Sequence, residues 1–149
     1  MQVRFEERSA MDLRPLRFLV LWPHKGSVEE CLLEADFLPT TRHFAAVNDH
    51  QEVVACCTVM SDSRHIDGEN YPLRLRAMAS HPMVRGLGMA KGLLAFAAIQ
   101  MGSQNMWCDA RELAVPFYQK CGWQVKSDPY EIPIIGTHFL MVYSGDTKI

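Results

Sequence analysis

The sequence has no apolar stretch long enough to cross a bilayer. Its apolar runs, such as Phe18 to Trp22 and Leu93 to Ile99, fall far short of the roughly 20 residues that a membrane-spanning helix needs. It also lacks a charge bias. A net charge of −2 argues against general attraction to nucleic acid or to an anionic membrane, so an anionic ligand must be held by local donors. The cysteines, Cys31, Cys56, Cys57, Cys108 and Cys121, are odd in number and include no CxxC pair. A disulfide framework or zinc site is therefore not expected, and a reducing, cytoplasmic setting is. Adjacent Cys56 and Cys57 would project to opposite faces of a strand and serve as small apolar residues. The histidines show no HExxH spacing, and no metal site is expected. The segment Met1 to Arg8 is charged and polar, unlike a secretion signal. No repeat, linker or low-complexity segment interrupts the chain. A length of 149 residues with 48% apolar content suits one domain over 1–149 with a sizeable core.

What is present is an alternation of strand and helix signals. Val3 to Glu6 reads as a first strand. A helix is predicted within Met11 to Leu21, where Leu13, Leu16, Leu19 and Val20 recur at helical spacing and Pro15 fits only in the first turn. Lys25 to Thr40 reads as irregular, with a short helix near Val28 to Leu33. Its Glu29, Glu30, Glu34 and Asp36 form either a solvated acidic loop or a lure for an amine. Arg42 to Val47 and Val53 to Met60 read as a hairpin about a polar turn, and Ser61 to Tyr71 as an exposed loop. Leu73 to Ala79 alternates, with Leu73, Leu75, Ala77 and Ala79 on one face and Arg74, Arg76 and Met78 on the other. After it, Ala90, Leu93, Leu94, Ala97, Ala98 and Met101 make one apolar helix stripe, which Gly102 ends. Met106 to Cys108 is a short strand. A helix over Glu112 to Cys121 tolerates Pro116 only near its start. Trp123 to Lys126 and Thr137 to Tyr143 are the last strands, separated by a Pro- and Gly-punctuated loop.

Between the strand at Leu73 and the helix at Lys91 lies Arg85-Gly86-Leu87-Gly88-Met89-Ala90. Glycines at a strand-to-helix bend let a ligand approach the backbone. The first helix amides lack intrahelical acceptors and carry partial positive charge. That suits an anion, above all a pyrophosphate, and Arg85 stands beside it with a forked permanent charge. A plain tight turn is the competing reading. A dinucleotide fingerprint would want a third Gly near Ala90, and a P-loop would want Gly-Lys-Ser/Thr. Neither is there.

Downstream comes Ala114-Val115-Pro116-Phe117-Tyr118-Gln119-Lys120-Cys121-Gly122-Trp123. The bend resembles the acetyl-CoA signature of the GNAT (GCN5-related N-acetyltransferase) superfamily, and this later block resembles that family's Ala…Phe-Tyr…Gly-aromatic segment. The resemblance implies a GNAT fold of α/β (α+β) class. That fold has a mixed, mostly antiparallel sheet of about 6–7 strands, helices on both faces, and a splayed central strand pair, here the Leu73 and Met106 strands. It implies acetyl-CoA as cosubstrate and an amine acceptor, and leaves a homodimer open. It further implies that backbone groups of Met78, Ala79 and Ser80 pair with the pantetheine arm. Arg85, Gly86, Leu87, Gly88, Met89 and Ala90 would bind the diphosphate, and Tyr118 would be catalytic and touch the cofactor.

Acetyl transfer requires a neutral amine, a polarised carbonyl and a protonated leaving thiolate. Tyr118 suits the last task, because a phenol with a pKa of about 10 stays protonated at neutral pH. Its competing role is aromatic packing. Where many relatives have an Asn that contacts pantetheine, this chain has Arg111, which either reaches a cofactor phosphate or caps a strand end. Where many have a general-base Glu on the strand before the bend, this chain offers Arg74, Arg76 and Met78. Asp109, Glu131, His43 and His138 are the substitutes, besides a water chain or an acceptor already partly neutral. The missing base also supports a different class of function, a non-catalytic acyl-CoA-binding module on the same fold.

Overall fold

The structure is a computed structural model and describes residues 2–146. In chain order its elements are β1 (Val3–Arg8), α1 (Ala10–Val20), β2 (Arg42–Asn48), β3 (Val53–Ile66), β4 (Glu69–Ser80), α2 (Met89–Gln100), β5 (Met106–Arg111), α3 (Val115–Lys120), β6 (Gln124–Val125), β7 (Tyr130–Ile132) and β8 (Gly136–Tyr143), with short 3-10 turns between them. One sheet contains all the strands. They run β1-β2-β3-β4-β5-β8-β6, with β7 also on β8. All pairings are antiparallel except β4 with β5.

Alternation along the inner strands divides the core. Phe44, Ala46, Cys57, Val59, Leu73 and Leu75 pack under α2 and α3 on one face. Ala45, Val47, Cys56 and Ala79 pack under Leu13 and Leu16 of α1 on the other. Cys56 and Cys57 thus face opposite ways, both fully buried. α2 sits close to the sheet because Gly92 has no side chain: a Cβ there would lie 2.6 Å from Cζ of Phe5.

Several expectations need correction. Ser61 to Tyr71 is not a loop. β3 and β4 continue to a two-residue turn at Asp67-Gly68, with Ile66 opposite Glu69. Positive φ values of 52° and 82° at Asp67 and Gly68 are the mirror-image turn that Asp-Gly favours between twisted strands. Burial of Ile66 and Tyr71 against Trp107 secures the extension. The Pro- and Gly-punctuated segment contributes β7, so the sheet has eight strands.

In α1, Pro15 lies past the first turn. The carbonyl of Met11, deprived of its helical donor by that proline, instead accepts from Nε of Arg14 at 3.1 Å. Leu19, placed on the apolar stripe from spacing, is exposed, while Arg17 points inward and is fully buried. The reason is Asp36. Arg17 donates to both its carboxylate oxygens, at 2.7 and 3.0 Å, and also to Thr58 Oγ1 and the Cys31 carbonyl. Asp36 is therefore no lure for an amine. Glu29, Glu30 and Glu34 remain exposed.

Candidate functional site: the gap between strands β4 and β5

β4 and β5 pair only at Leu73 with Met106 and Arg74 with Trp107. Beyond those residues they diverge, so Leu75 to Ser80 and Cys108 to Arg111 have no ladder between them. Trp107 fastens the joined end. The guanidiniums of Arg64 and Arg74 pack on its indole, 5.0 and 4.6 Å from the ring centroid, and its Nε1 donates to the Asp62 carbonyl at 2.7 Å.

The side chains of β4 do not keep one alternation. Its register on β3 slips between Cys56 and Thr58, and Ala77 adopts φ +52°. This bulge carries an extra residue and reverses the facing beyond it. Met78 consequently packs with the α2 side, while Ala77 and Ala79 join the α1 side, not the side of Leu73 and Leu75. A non-glycine residue at positive φ is uncommon, and Ala77 lines the gap.

The gap opens into a cavity of about 200 Å³, lined from β4 by Arg74 to Met78 and from β5 by Cys108, Asp109 and Arg111. Tyr118 of α3 and His138 of β8 also line it, with Trp22 and Leu33 closing it from the α1 side. Tyr118 is 5% exposed, with Phe117 and Trp123 each 5.3 Å from its ring centroid. Burial raises its pKa well above the ordinary phenol value, and the neighbouring thiols, Cys108 first, raise it further. Burial raises the Cys108 thiol too, opposed in part by Arg74 and by a hydrogen bond from Tyr118. Tyr118 is a protonated donor on the cavity floor.

The glycine bend follows β4. Gly86 and Gly88 have φ +81° and +80°, the left-handed region that side chains disfavour. Gly88 is the N-cap of α2 and has no side-chain cap. Gly92 N donates to Gly88 O at 3.0 Å, so the amides of Met89, Ala90 and Lys91 precede the first intrahelical bond and have no helical acceptor. The Leu87 amide differs from expectation, being occupied by the Val84 carbonyl at 3.2 Å. Arg85 is exposed beside the bend.

The structure separates the other candidates. Arg111 lines the cavity and donates to the Leu21 carbonyl at 2.9 Å, tying the end of β5 to the end of α1. Asp109 lines it as well, held by Arg74 at 2.7 Å and by the Tyr130 hydroxyl. His138 places Nδ1 2.7 Å from the Gly136 carbonyl. A carbonyl only accepts, so Nδ1 carries a proton, and in the neutral ring the lone pair is on Nε2. His43 is occupied on both ring nitrogens, by Thr58 and the Asp36 carbonyl, and lies away from the gap. Glu131 is exposed and accepts from Thr137. Sequence reasoning missed the apolar lining from Trp22, Leu33, Ile132 and Ile135. No periodic signal marks them, because the end of α1, the loop before β2 and the β7–β8 turn bring them to the same gap from distant parts of the chain.

The sequence model of a family described as "Acetyltransferase (GNAT) domain" matches residues 39–125, more than half of the chain. The uncharacterized N-acetyltransferase YitI of Bacillus subtilis (strain 168) is 29% identical over 136 residues, covering 89% of this chain and 90% of that protein. A solved aminoglycoside 6'-N-acetyltransferase complexed with coenzyme A matches with a TM-score of 0.74 at 14% identity, over 98% of this chain and 99% of the other. Escherichia coli ElaA matches with a TM-score of 0.72 at 17% identity, over 95% and 99%. The structural likenesses, at such identities, speak for the fold.

Proposed function

The chain belongs to the GNAT acetyltransferase family, and from that premise we propose that it transfers an acetyl group from acetyl-CoA directly to a primary amine in the cytoplasm, as a single domain over 1–149 and without a covalent enzyme intermediate. The observation that carries this reading is the splayed gap, with a protonated Tyr118 on its floor and the glycine bend at the far end of β4. The diphosphate rests on the amides of Met89 and Ala90 at the bend of Gly86 and Gly88, with Arg85 alongside. The unladdered edge of Met78, Ala79 and Ser80 receives the pantetheine arm.

The acceptor enters from the α1 side, where His138 and Asp109 lie. An ammonium loses one proton to water. Its nitrogen then attacks the thioester carbon as the C–S bond breaks. Tyr118 gives its proton to the departing thiolate, and His138 Nε2 takes the second amine proton. Proton relay restores both residues. The net products are an amide, free coenzyme A and one proton. His138 suits the base role better than Asp109, whose oxygens are already taken by Arg74 and Tyr130. Arg111 reads as a strand-end tie, given its bond to Leu21.

The test is thiol release from acetyl-CoA with a panel of amines, repeated with His138→Gln. Turnover on at least one amine, with kcat reduced in the variant by about 10²-fold or more, is expected. The absence of a carboxylate on the Leu73 to Ala79 stretch of β4 favours a second reading, a non-catalytic acyl-CoA sensor or docking module. Tight coenzyme A binding with no turnover on any amine would replace the first reading with the second.

A further inference from the structure

The acceptor side of the gap has an uneven charge. Three guanidiniums, Arg74, Arg76 and Arg111, line the cavity against one carboxylate, Asp109. Their engagements differ. Arg74 is matched with Asp109 at 2.7 Å and more loosely with Asp62 at 3.4 Å. Arg111 donates to a carbonyl. Arg76, half-buried in the middle of β4, makes no hydrogen bond or ion pair with any of the described residues. Beside it, Nε of Arg74 is buried and has no acceptor.

Leaving donors of a charged group unmatched in a partly desolvated site is costly. A guanidinium is a planar fork whose natural complement is a carboxylate or phosphate held by two bonds. Burial, and then Arg74 next to it, weigh against the charge that Arg76 carries, and the more distant fields of Asp109, Asp36 and Asp62 offset them only in part. An anion relieves both. The bulge at Ala77 follows Arg76 directly. It keeps the guanidinium on the α1 side while the chain beyond turns Met78 to the opposite face. The bend begins at Gly86, ten residues further along the chain and past the end of β4, and Arg76 is not among the residues that form it.

We propose that Arg76 anchors an oxyanion on the acceptor itself, so that the substrate is a small amine bearing a carboxylate or phosphate group. This rests on the acetyl-transfer reading and names its substrate class. The cavity of about 200 Å³ suits a small molecule. Its excess of positive charge disfavours polycationic acceptors, the opposite of what an aminoglycoside would need.

The test uses matched pairs that differ only in the anion: the protein amino acids against their amides, and 2-aminoethyl phosphate against ethanolamine, with kanamycin as a polycation. Each is titrated by calorimetry into protein saturated with coenzyme A, and assayed separately for thiol release with acetyl-CoA. In at least one pair the oxyanion-bearing member should bind at least about ten-fold more tightly, the size expected for a hydrogen bond to a charged group. Arg76→Gln should bring that pair to within about three-fold, and Arg76→Lys should fall between. The amino acid and phosphate pairs show which oxyanion is used. Equal binding within every pair, preference for the neutral partner or kanamycin, or a preference untouched in Arg76→Gln would each overturn the inference. Binding alone decides it. Absence of thiol release with every amine counts against acetyl transfer and leaves the binding result to be read on its own.

Discussion

Replacing Tyr118 with Phe removes one oxygen atom and little else. The ring keeps its packing between Phe117 and Trp123, 5.3 Å from each, and the lost hydroxyl's partner is the Cys108 thiol, a weak acceptor. Folding stability should therefore fall by no more than about 1 kcal/mol. Turnover should fall much further. A positioned proton donor contributes about 10²- to 10⁴-fold, or roughly 3 to 5 kcal/mol of barrier. Affinity for acetyl-CoA should change little, since the proton is needed only as the thiolate leaves.

The raised pKa supplies a second readout. The folded-state pKa of Tyr118 lies above its unfolded value, so the associated stability is complete below about pH 10 and is lost as pH rises beyond it. Tyr118→Phe should lose less stability than the parent in that alkaline range, followed by urea unfolding at stepped pH. Thiol-release kinetics, coenzyme A calorimetry and thermal unfolding together distinguish the roles. A variant with kcat within about three-fold of the parent would remove Tyr118 from the mechanism. A fall in kcat explained by lost cofactor affinity or lost folding would do the same.

Asp36→Asn should cost about 3–5 kcal/mol in urea unfolding, because it leaves the Arg17 guanidinium buried without its counter-charge. A loss under 1 kcal/mol would show that the pair is not needed. Burial raises the Asp36 pKa, but hydrogen bonds from Arg17 and the Leu33 amide outweigh it and lower the net value. Its contribution is present above the unfolded carboxyl pKa of about 3.9 and fades as pH falls below that, so the variant should lack this acid-dependent loss. Gly88→Ala meets no atom within 4 Å, so its cost is the left-handed backbone alone, about 1–2 kcal/mol. Arg85→Ala should leave stability unchanged and weaken coenzyme A binding in calorimetry. Cys121→Ser should keep full activity if transfer is direct; lost activity with fold and cofactor affinity intact would point to a covalent intermediate.

Much of this architecture was legible where local pattern and tertiary demand agree. The stripe from Leu93 to Ala98, the glycine bend and the pair Cys56-Cys57 lie as periodicity implies, because each rule there acts within a few residues. The failures have one physical origin: a distant partner decided the outcome. Arg17 turns inward because Asp36, far along the chain, is buried beside it. Ala77 leaves the face of Leu75 because β4 carries one extra residue against β3 there. The segment from Ser61 to Tyr71 looks polar enough for a loop, yet Asp-Gly closes it and Trp107 gives Ile66 and Tyr71 somewhere to pack. Of the candidate site, the position of the glycine bend was readable from motif spacing, and the place of Tyr118 beside the gap from the family resemblance. The choice among Asp109, His138, His43 and Glu131 was not, since it depends on which hydrogen-bonding atoms the fold has already consumed.

The sparse seam between β4 and β5 has a mechanical meaning. Only two residue pairs form a ladder between the β1–β4 half of the sheet and the half built on β5 and β8; side chains such as Trp107, Arg74 and Arg111 make the remaining links. An extended guest lying in the notch would act as a borrowed strand, stitching one half to the other. Occupancy would then stiffen the sheet at its thinnest seam.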